Sequence, residues 1–280
     1  MTLDLGARGF ETAAHSHPYD WRDTALYALG LGAGEGDLPY LLENPRPKVL
    51  PTFAVVPGFA PVFEALKRTG GNLVTLLHSG ERVEVLRPFP PDGTAQTRAR
   101  IRGIWDMKIG ALVLVDTEIA VDGVPTARTT WELLLRGEGG FGGERPPALL
   151  RVRQPAGKEP DFRTLVPTAR NQALLYRLSG DVNPIHSNPD VARAAGFERP
   201  ILHGLCTYGI AARAALRELC NDDPSRVRSF EARFAKVVMP GDTLVVEGVT
   251  LEEPGTAAIT VTVAGSGEKA IAQARFEYAP

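Results

Sequence analysis

The residues from Tyr176 to Gly209 read YRLSGDVNPIHSNPDVARAAGFERPILHGLCTYG, and they crowd reactive types into one short stretch: a carboxylate (Asp181), an amide (Asn183), two imidazoles (His186, His203) and a helix-opening glycine (Gly204). A carboxylate and an imidazole on either side of a turn can bind one water molecule and move its proton. A glycine at the start of a helix leaves its backbone N–H open to a carbonyl oxygen, where the free N–H groups and the positive dipole end stabilise negative charge. The set suits acid–base chemistry beside a polarised carbonyl.

Gly180-Asp181 and Asn183-Pro184 are also turn dipeptides, and by themselves they describe a turn with no chemistry. The extension carries more. After His186 comes a short helix capped by Asn188, with Pro189 first and Gly196 at its end, and then FERPILHG, so the spacing from the imidazole to Gly204 is fixed. His203, next to Gly204, is expected to fix the loop. Gly204 has a bland alternative as a tight turn into the helix. His78 falls on an expected strand, in the core or at the surface, while His15 and His17 are expected in an N-terminal tail.

The elements around this stretch follow from pattern. Asp20 can cap a helix over about 20–29, with Asp23 in its first turn and Gly30 at its stop. A second helix is expected from about Phe59 to Arg68, after Pro57-Gly58 and before Gly70-Gly71. LVTLLHS, RVEVLRP, TRARIRGIWDMK, ALVLVDTEIAV and TARTTWELLLR then read as strands separated by turns, and Gly137 to Pro147 as a linker. The second half repeats the order: a short helix around Pro167 to Leu178, a long insertion, a helix from about Gly204 to Leu219, and strands near SFEARFAKVV, TLVVEGVTLEE, AAITVTVAG and AIAQARFEYA. Helices followed by a meander make an α+β fold.

Residue matches support a duplication. Tyr27 and Leu29 match Tyr176 and Leu178, Pro51 matches Pro200, and Pro91 with Thr94 matches Pro240 with Thr243, all at one offset. The first copy has GEGDLPYLLENPRPKVLP where the second has Asp181 and His186. It keeps acids but no histidine, so chemistry belongs to the second half and the first is expected to close the sheet and shape a cavity. The linker's literal GxGxxG (Gly137, Gly139, Gly142) is followed by GERPP and not by a helix, which argues against a dinucleotide site.

At 280 residues the chain has room for two units or one large duplicated core. A net charge of -2 offers no basic face to nucleic acid. Two cysteines, Cys206 and Cys220, fit neither a disulfide scaffold nor a zinc site, and suggest reduced cytoplasm. No apolar run approaches the ~18 residues of a membrane span, the acidic N-terminus is unlike a signal peptide, and the Tyr-Ala-Pro terminus is not a peroxisomal tripeptide.

Tyr176-x-Leu178-Ser179-Gly180-Asp181-x-Asn183-Pro184-Ile185-His186, followed by Phe197-Glu198-Arg199-Pro200-Ile201-Leu202-His203-Gly204, resembles the hydratase 2 motif of the MaoC-like dehydratases, the (R)-specific 2-enoyl-CoA hydratases. YALGLGAGEGDLPYLLEN and VLPTFAVV resemble the degenerate half of the double-hot-dog members, so the resemblance spans almost the whole chain. It implies two fused hot-dog units, a non-catalytic one over 1–148 and a catalytic one over 149–280, and reversible hydration of trans-2-enoyl-CoA to (3R)-hydroxyacyl-CoA. It also implies Asp181 and His186 as catalytic residues, Gly204 as the oxyanion donor, Asn183 as the amide orienting the loop or the water, no metal or redox cofactor, and a dimer. Which of Asp181 and His186 is base and which acid stays open at this level. Arg199, Arg233 and Lys236 neighbour the motif and are candidates for the CoA phosphates, or equally solvated surface charges. A hot-dog thioesterase and a non-catalytic acyl-CoA-binding subunit are the alternatives.

Overall fold

A computed structural model describes residues 3–280. The first half contributes β1 (His15–Tyr19), α1 (Trp21–Gly30), α2 (Val55–Lys67), β2 (Leu76–Val85), β3 (Gly93–Asp106), β4 (Gly110–Val121) and β5 (Val124–Arg136). The second contributes β6 (Phe162–Pro167), α3 (Gln172–Tyr176), α4 (Pro189–Ala194), α5 (Gly204–Cys220), β7 (Val227–Phe234), β8 (Thr243–Thr250), β9 (Thr256–Val263) and β10 (Lys269–Tyr278). All ten strands join in one antiparallel sheet, in the order β1-β3-β4-β5-β2-β7-β10-β9-β8-β6. Matching β1 to β6 and so on through β5 to β10 makes the second half of that order the first in reverse, as a two-fold axis at the β2–β7 seam requires. The expected α+β double hot dog is the observed architecture.

β3 alternates regularly, buried toward the helices and polar outward, whereas β4 and β9 are buried at nearly every residue. α5 buries most of its length and lies under the seam, where Tyr208 Oη donates to the Phe230 carbonyl (2.7 Å) and accepts from the Val83 N–H (3.2 Å). One hydroxyl thus pins the second half's helix to both central strands. α1 starts with the expected cap: Asp20 accepts from the Arg22 N–H (2.7 Å), and Asp23 accepts from the Asp20 N–H (2.8 Å).

Several expectations need correction. His15 and His17 lie in β1, paired with β3, and not in a tail; HSHPY is too short to show alternation, and Pro18 is tolerated because β1 is an edge strand. α2 begins at Val55 and runs over Pro57, Gly58 and Pro61. Pro57 lies in the first turn, where no N–H bond is needed, and Gly58 lets the ring of Trp131 approach to 3.5 Å of where a Cβ would stand. LVTLLHS and RVEVLRP merge into β2, with a bulge between His78 and Gly80 in its pairing with β5. β6 was not anticipated, and the helix expected from Pro167 contracts to α3 and one 3-10 turn. The Gly-rich segment wraps a carboxylate of its own chain, as Asp106 accepts from the N–H groups of Gly140 (3.0 Å) and Gly142 (2.6 Å).

Where the second half carries its reactive loop, the first carries Asp37, whose carboxylate is buried and committed to α5. It accepts from Arg213 (2.8 Å), Arg217 (2.6 Å) and the Gly34 N–H (3.0 Å). Asp37→Ala leaves Arg213 almost fully buried without its counter-charge, and is expected to cost about 2 kcal/mol in urea unfolding.

Candidate active site

Local turn chemistry shapes the reactive loop. Gly180 sits at φ +120°, a conformation open in practice to glycine alone, and turns the chain out of the Arg177–Ser179 turn. The half-buried Asp181 then accepts from the Asn183 N–H through Oδ1 (3.1 Å), and Asn183 Oδ1 accepts from the Ile185 N–H (3.1 Å), capping the Pro184–His186 turn. Asn183 therefore orients the loop through its own cap.

His186 is buried, and its Nδ1–H donates to the carbonyl of Ile201 (2.9 Å). A carbonyl can only accept, so the tautomer is set and Nε2 presents a lone pair. His203 is likewise fixed, its Nε2–H donating to the backbone carbonyl of Asp181 (3.1 Å). That bond ties the His203 imidazole to the backbone of the reactive loop. The two imidazoles stack with centroids 3.7 Å apart and planes at 27°, and the Tyr176 ring lies 4.9 Å from His203.

One ligand atom from each of Asp181, His186 and His203 falls within 4.8 Å of the others. A water accepting and donating bonds of ~2.8 Å at its tetrahedral angle spans roughly 4.6 Å, so one molecule can bridge carboxylate and imidazole. A metal ion fits less well. Its ligands must aim lone pairs at it in the plane of each ring, and rings stacked nearly parallel send theirs side by side.

Burial is the largest influence on all three groups. It raises the Asp181 carboxyl above its ordinary value, opposed by His186, the Asn183 N–H and the Arg177 guanidinium. It lowers His186, opposed by Asp181 and the Ile201 carbonyl. His203 is pushed down to about 3 by burial and by its stacked neighbour, and is neutral at physiological pH.

Gly204 opens α5, its N–H among those an α-helix leaves unpaired. A Cβ at this position would meet the Phe234 ring at 3.1 Å, so the floor under the glycine is an aromatic face. Phe234 was not singled out from the sequence; its only signal is its phase in β7.

That phase also corrects Arg233. Side chains alternate along a strand, so Arg233 lies on the outer face, near Glu132, while Phe234 faces the site. Arg199 donates to the Pro240 carbonyl (2.8 Å), and exposed Lys236 pairs with Glu268 (3.6 Å). Arg199 and Lys236 are thus engaged within the chain, and Arg233 stands on the outer face of the sheet. The cation that reaches Asp181 and His203 electrostatically is Arg177.

Residues 17–137 match the model of the MFE-2 hydratase 2 N-terminal domain, and residues 151–270 that of the MaoC like domain. The chain is 41% identical to 3-hydroxyacyl-thioester dehydratase Y of Mycobacterium tuberculosis, over 95% of this chain and 93% of that protein. The chain belongs to the MaoC-like, hydratase 2 family. It is also 39% identical, over 100% of both chains, to enoyl-CoA hydratase ChsH3 of the same organism. A crystal structure of a MaoC-like dehydratase from Phytophthora capsici superposes with a TM-score of 0.88 at 29% identity, covering 99% of this chain and 98% of that one. The hydratase 2 N-terminal match ends where the linker begins, and the MaoC match contains every member of the reactive loop.

Proposed function

We propose that this chain is an (R)-specific enoyl-CoA hydratase, adding water reversibly to trans-2-enoyl-CoA to give (3R)-hydroxyacyl-CoA, with Asp181, His186 and Gly204 as its chemical groups. The observation that carries the residue assignment is the convergence of Asp181 and His186 to water-bridging distance beside the open N-terminus of α5.

In the forward direction His186 Nε2 accepts a proton from the bridging water as the water oxygen bonds to Cβ of the enoyl group. Electron density moves to the thioester oxygen, where the Gly204 N–H and the helix end stabilise it. The Asp181 carboxyl supplies the proton to Cα, a role that its burial favours by raising its pKa above the ordinary value. The imidazolium and carboxylate left behind exchange the proton back through solvent. Both groups lie in one loop, so hydroxyl and proton arrive on the same face. A Lewis acid or redox group has no step to perform.

The acyl group is placed in the cleft of about 250 Å³ between the halves, lined by Leu26, Phe53, Val56, Phe59 and Ala60 and bordered by Gly180 beside Asp181. A row of rings links this cleft to the loop: Phe53 to Tyr27 (5.7 Å), Tyr27 to Tyr176 (6.0 Å) and Tyr176 to His203 (4.9 Å). The first half, 1–148, shapes the cavity and the second, 149–280, carries the chemistry. A homodimer and a cytoplasmic setting belong to the same proposal. The free thiols of Cys206 and Cys220, both buried, suit a reducing compartment, and no helix among the described residues is long and apolar enough to cross a membrane.

The test is loss of enoyl-thioester absorbance on adding protein to crotonyl-CoA, with chiral analysis of the product; release of free CoA would instead indicate a thioesterase. The pH profile is a second check. His186 must be neutral to accept a proton, and burial lowers its pKa below the ordinary imidazole value of 6.5. kcat/KM is therefore expected to hold as pH falls to 6.5 and to decline only below it. A decline centred above 6.5 contradicts the assignment of His186 as the base.

A further inference from the structure

One polar pair outside the reactive loop is sealed against the inner face of the sheet. Glu81, 0% exposed, lies with Oε2 3.1 Å from Nε2 of half-buried His78. Residues three apart on a regular strand face opposite ways; the bulge between His78 and Gly80 is what turns both side chains to the same face. The His78 ring stacks on Trp131 (5.0 Å, 13°) and meets Phe234 at 5.2 Å and 71°. Phe234 is the ring that stands under Gly204.

Burial, with Glu132 adding to it, raises Glu81 well above its ordinary value, and burial lowers His78 to about 4. Both shifts favour the neutral forms, and in that neutral pair the Glu81 O–H donates to Nε2. The other oxygen, Oε1, has no hydrogen-bond partner among the described residues. A buried group left partly unsatisfied is costly, and two apolar side chains would fill the space without that cost.

We propose that Glu81 and His78 are positioning residues for the hydration site: their hydrogen bond fixes the imidazole between Trp131 and Phe234, and so holds the ring that sets the depth of the pocket over the Gly204 N–H. The proposal rests on the hydration reading above. It gives the first half a part in the chemistry through one ring, with no reacting group of its own.

The experiment compares wild type, Glu81→Gln, Glu81→Leu, Phe234→Leu and the Glu81→Leu/Phe234→Leu double variant by steady-state hydration of crotonyl-CoA and by thermal melting. Glutamine keeps the donor, and its kcat is expected within about two-fold of wild type, whereas Glu81→Leu and Phe234→Leu each lose roughly ten-fold in kcat with KM little changed. The double variant is expected to be no worse than Phe234→Leu alone, because the pair acts through that ring. Wild-type kcat in Glu81→Leu or in Phe234→Leu overturns the proposal, as does a double variant whose losses multiply. Where Glu81→Leu does not fold, the other two single variants decide: retained kcat in Phe234→Leu, or a Glu81→Gln variant as impaired as Phe234→Leu, overturns it. A wild type that hydrates nothing overturns the functional reading and the proposal with it, whereas an active wild type with indifferent variants overturns the positioning alone.

Discussion

Asp181→Asn and His186→Ala are each expected to cut hydration of crotonyl-CoA by roughly 10²–10⁴-fold while the chain stays folded. The asparagine variant is the cleaner. Its Oδ1 can still accept from the Asn183 N–H, the bond that shapes the turn, so the loop keeps its course and only the proton donor is lost. His186→Ala removes more: the base, the bond to the Ile201 carbonyl and the face that stacks on His203. Its melting temperature should fall, because it opens a cavity beside a buried ring, yet circular dichroism should show an intact sheet. Turnover within a few-fold of wild type in both variants, in steady-state assays at saturating substrate, removes the two-group mechanism.

Gly204→Ala carries the second largest expected effect, a loss of about 10–100-fold in kcat. The added Cβ meets Phe234 at 3.1 Å, tighter than ordinary packing, so either the ring or the helix start gives way by a few tenths of an ångström. Tyr208 pins α5 to the seam one turn further on, and the helix cannot move as a rigid body. The ring therefore takes up most of the strain, and the methyl group narrows the approach to the N–H. kcat should fall more than melting temperature suggests. Pairing Gly204→Ala with Phe234→Leu should recover part of the lost kcat, since the smaller side chain makes room for the Cβ. No recovery in that pair would mean the donor has moved for another reason.

The reactive loop was legible because its geometry is local. An Asx turn, a proline-led cap and a glycine with positive φ fix where Asp181 and His186 go relative to each other, and each is written in adjacent residues. The repeat was legible for a related reason, since an offset shared by Tyr27 with Tyr176 and by Pro51 with Pro200 needs no knowledge of contacts. What depends on partners was not. Arg233 sits beside motif residues in sequence, but its face follows from the phase of β7 against β2 and β10. The edge strands β1 and β6 have only five and six residues and one paired neighbour each, so burial imposes little pattern on them. The inward turn of His78 and Glu81 comes from a bulge that exists only in the pairing of β2 with β5, which no single strand's sequence records. Where backbone chemistry decided position the sequence was enough; where register decided, it was not.

Hydration of crotonyl-CoA in ²H₂O tests the central claim most directly, with the configuration at both carbons of the product read by NMR after chiral derivatisation. Two groups from one loop, acting from one side of the bound enoyl thioester, predict (3R)-hydroxybutyryl-CoA with a single deuterium at Cα on the same face as the hydroxyl. A product of 3S configuration, deuterium on the opposite face, or free CoA in place of a hydroxyacyl thioester would contradict it.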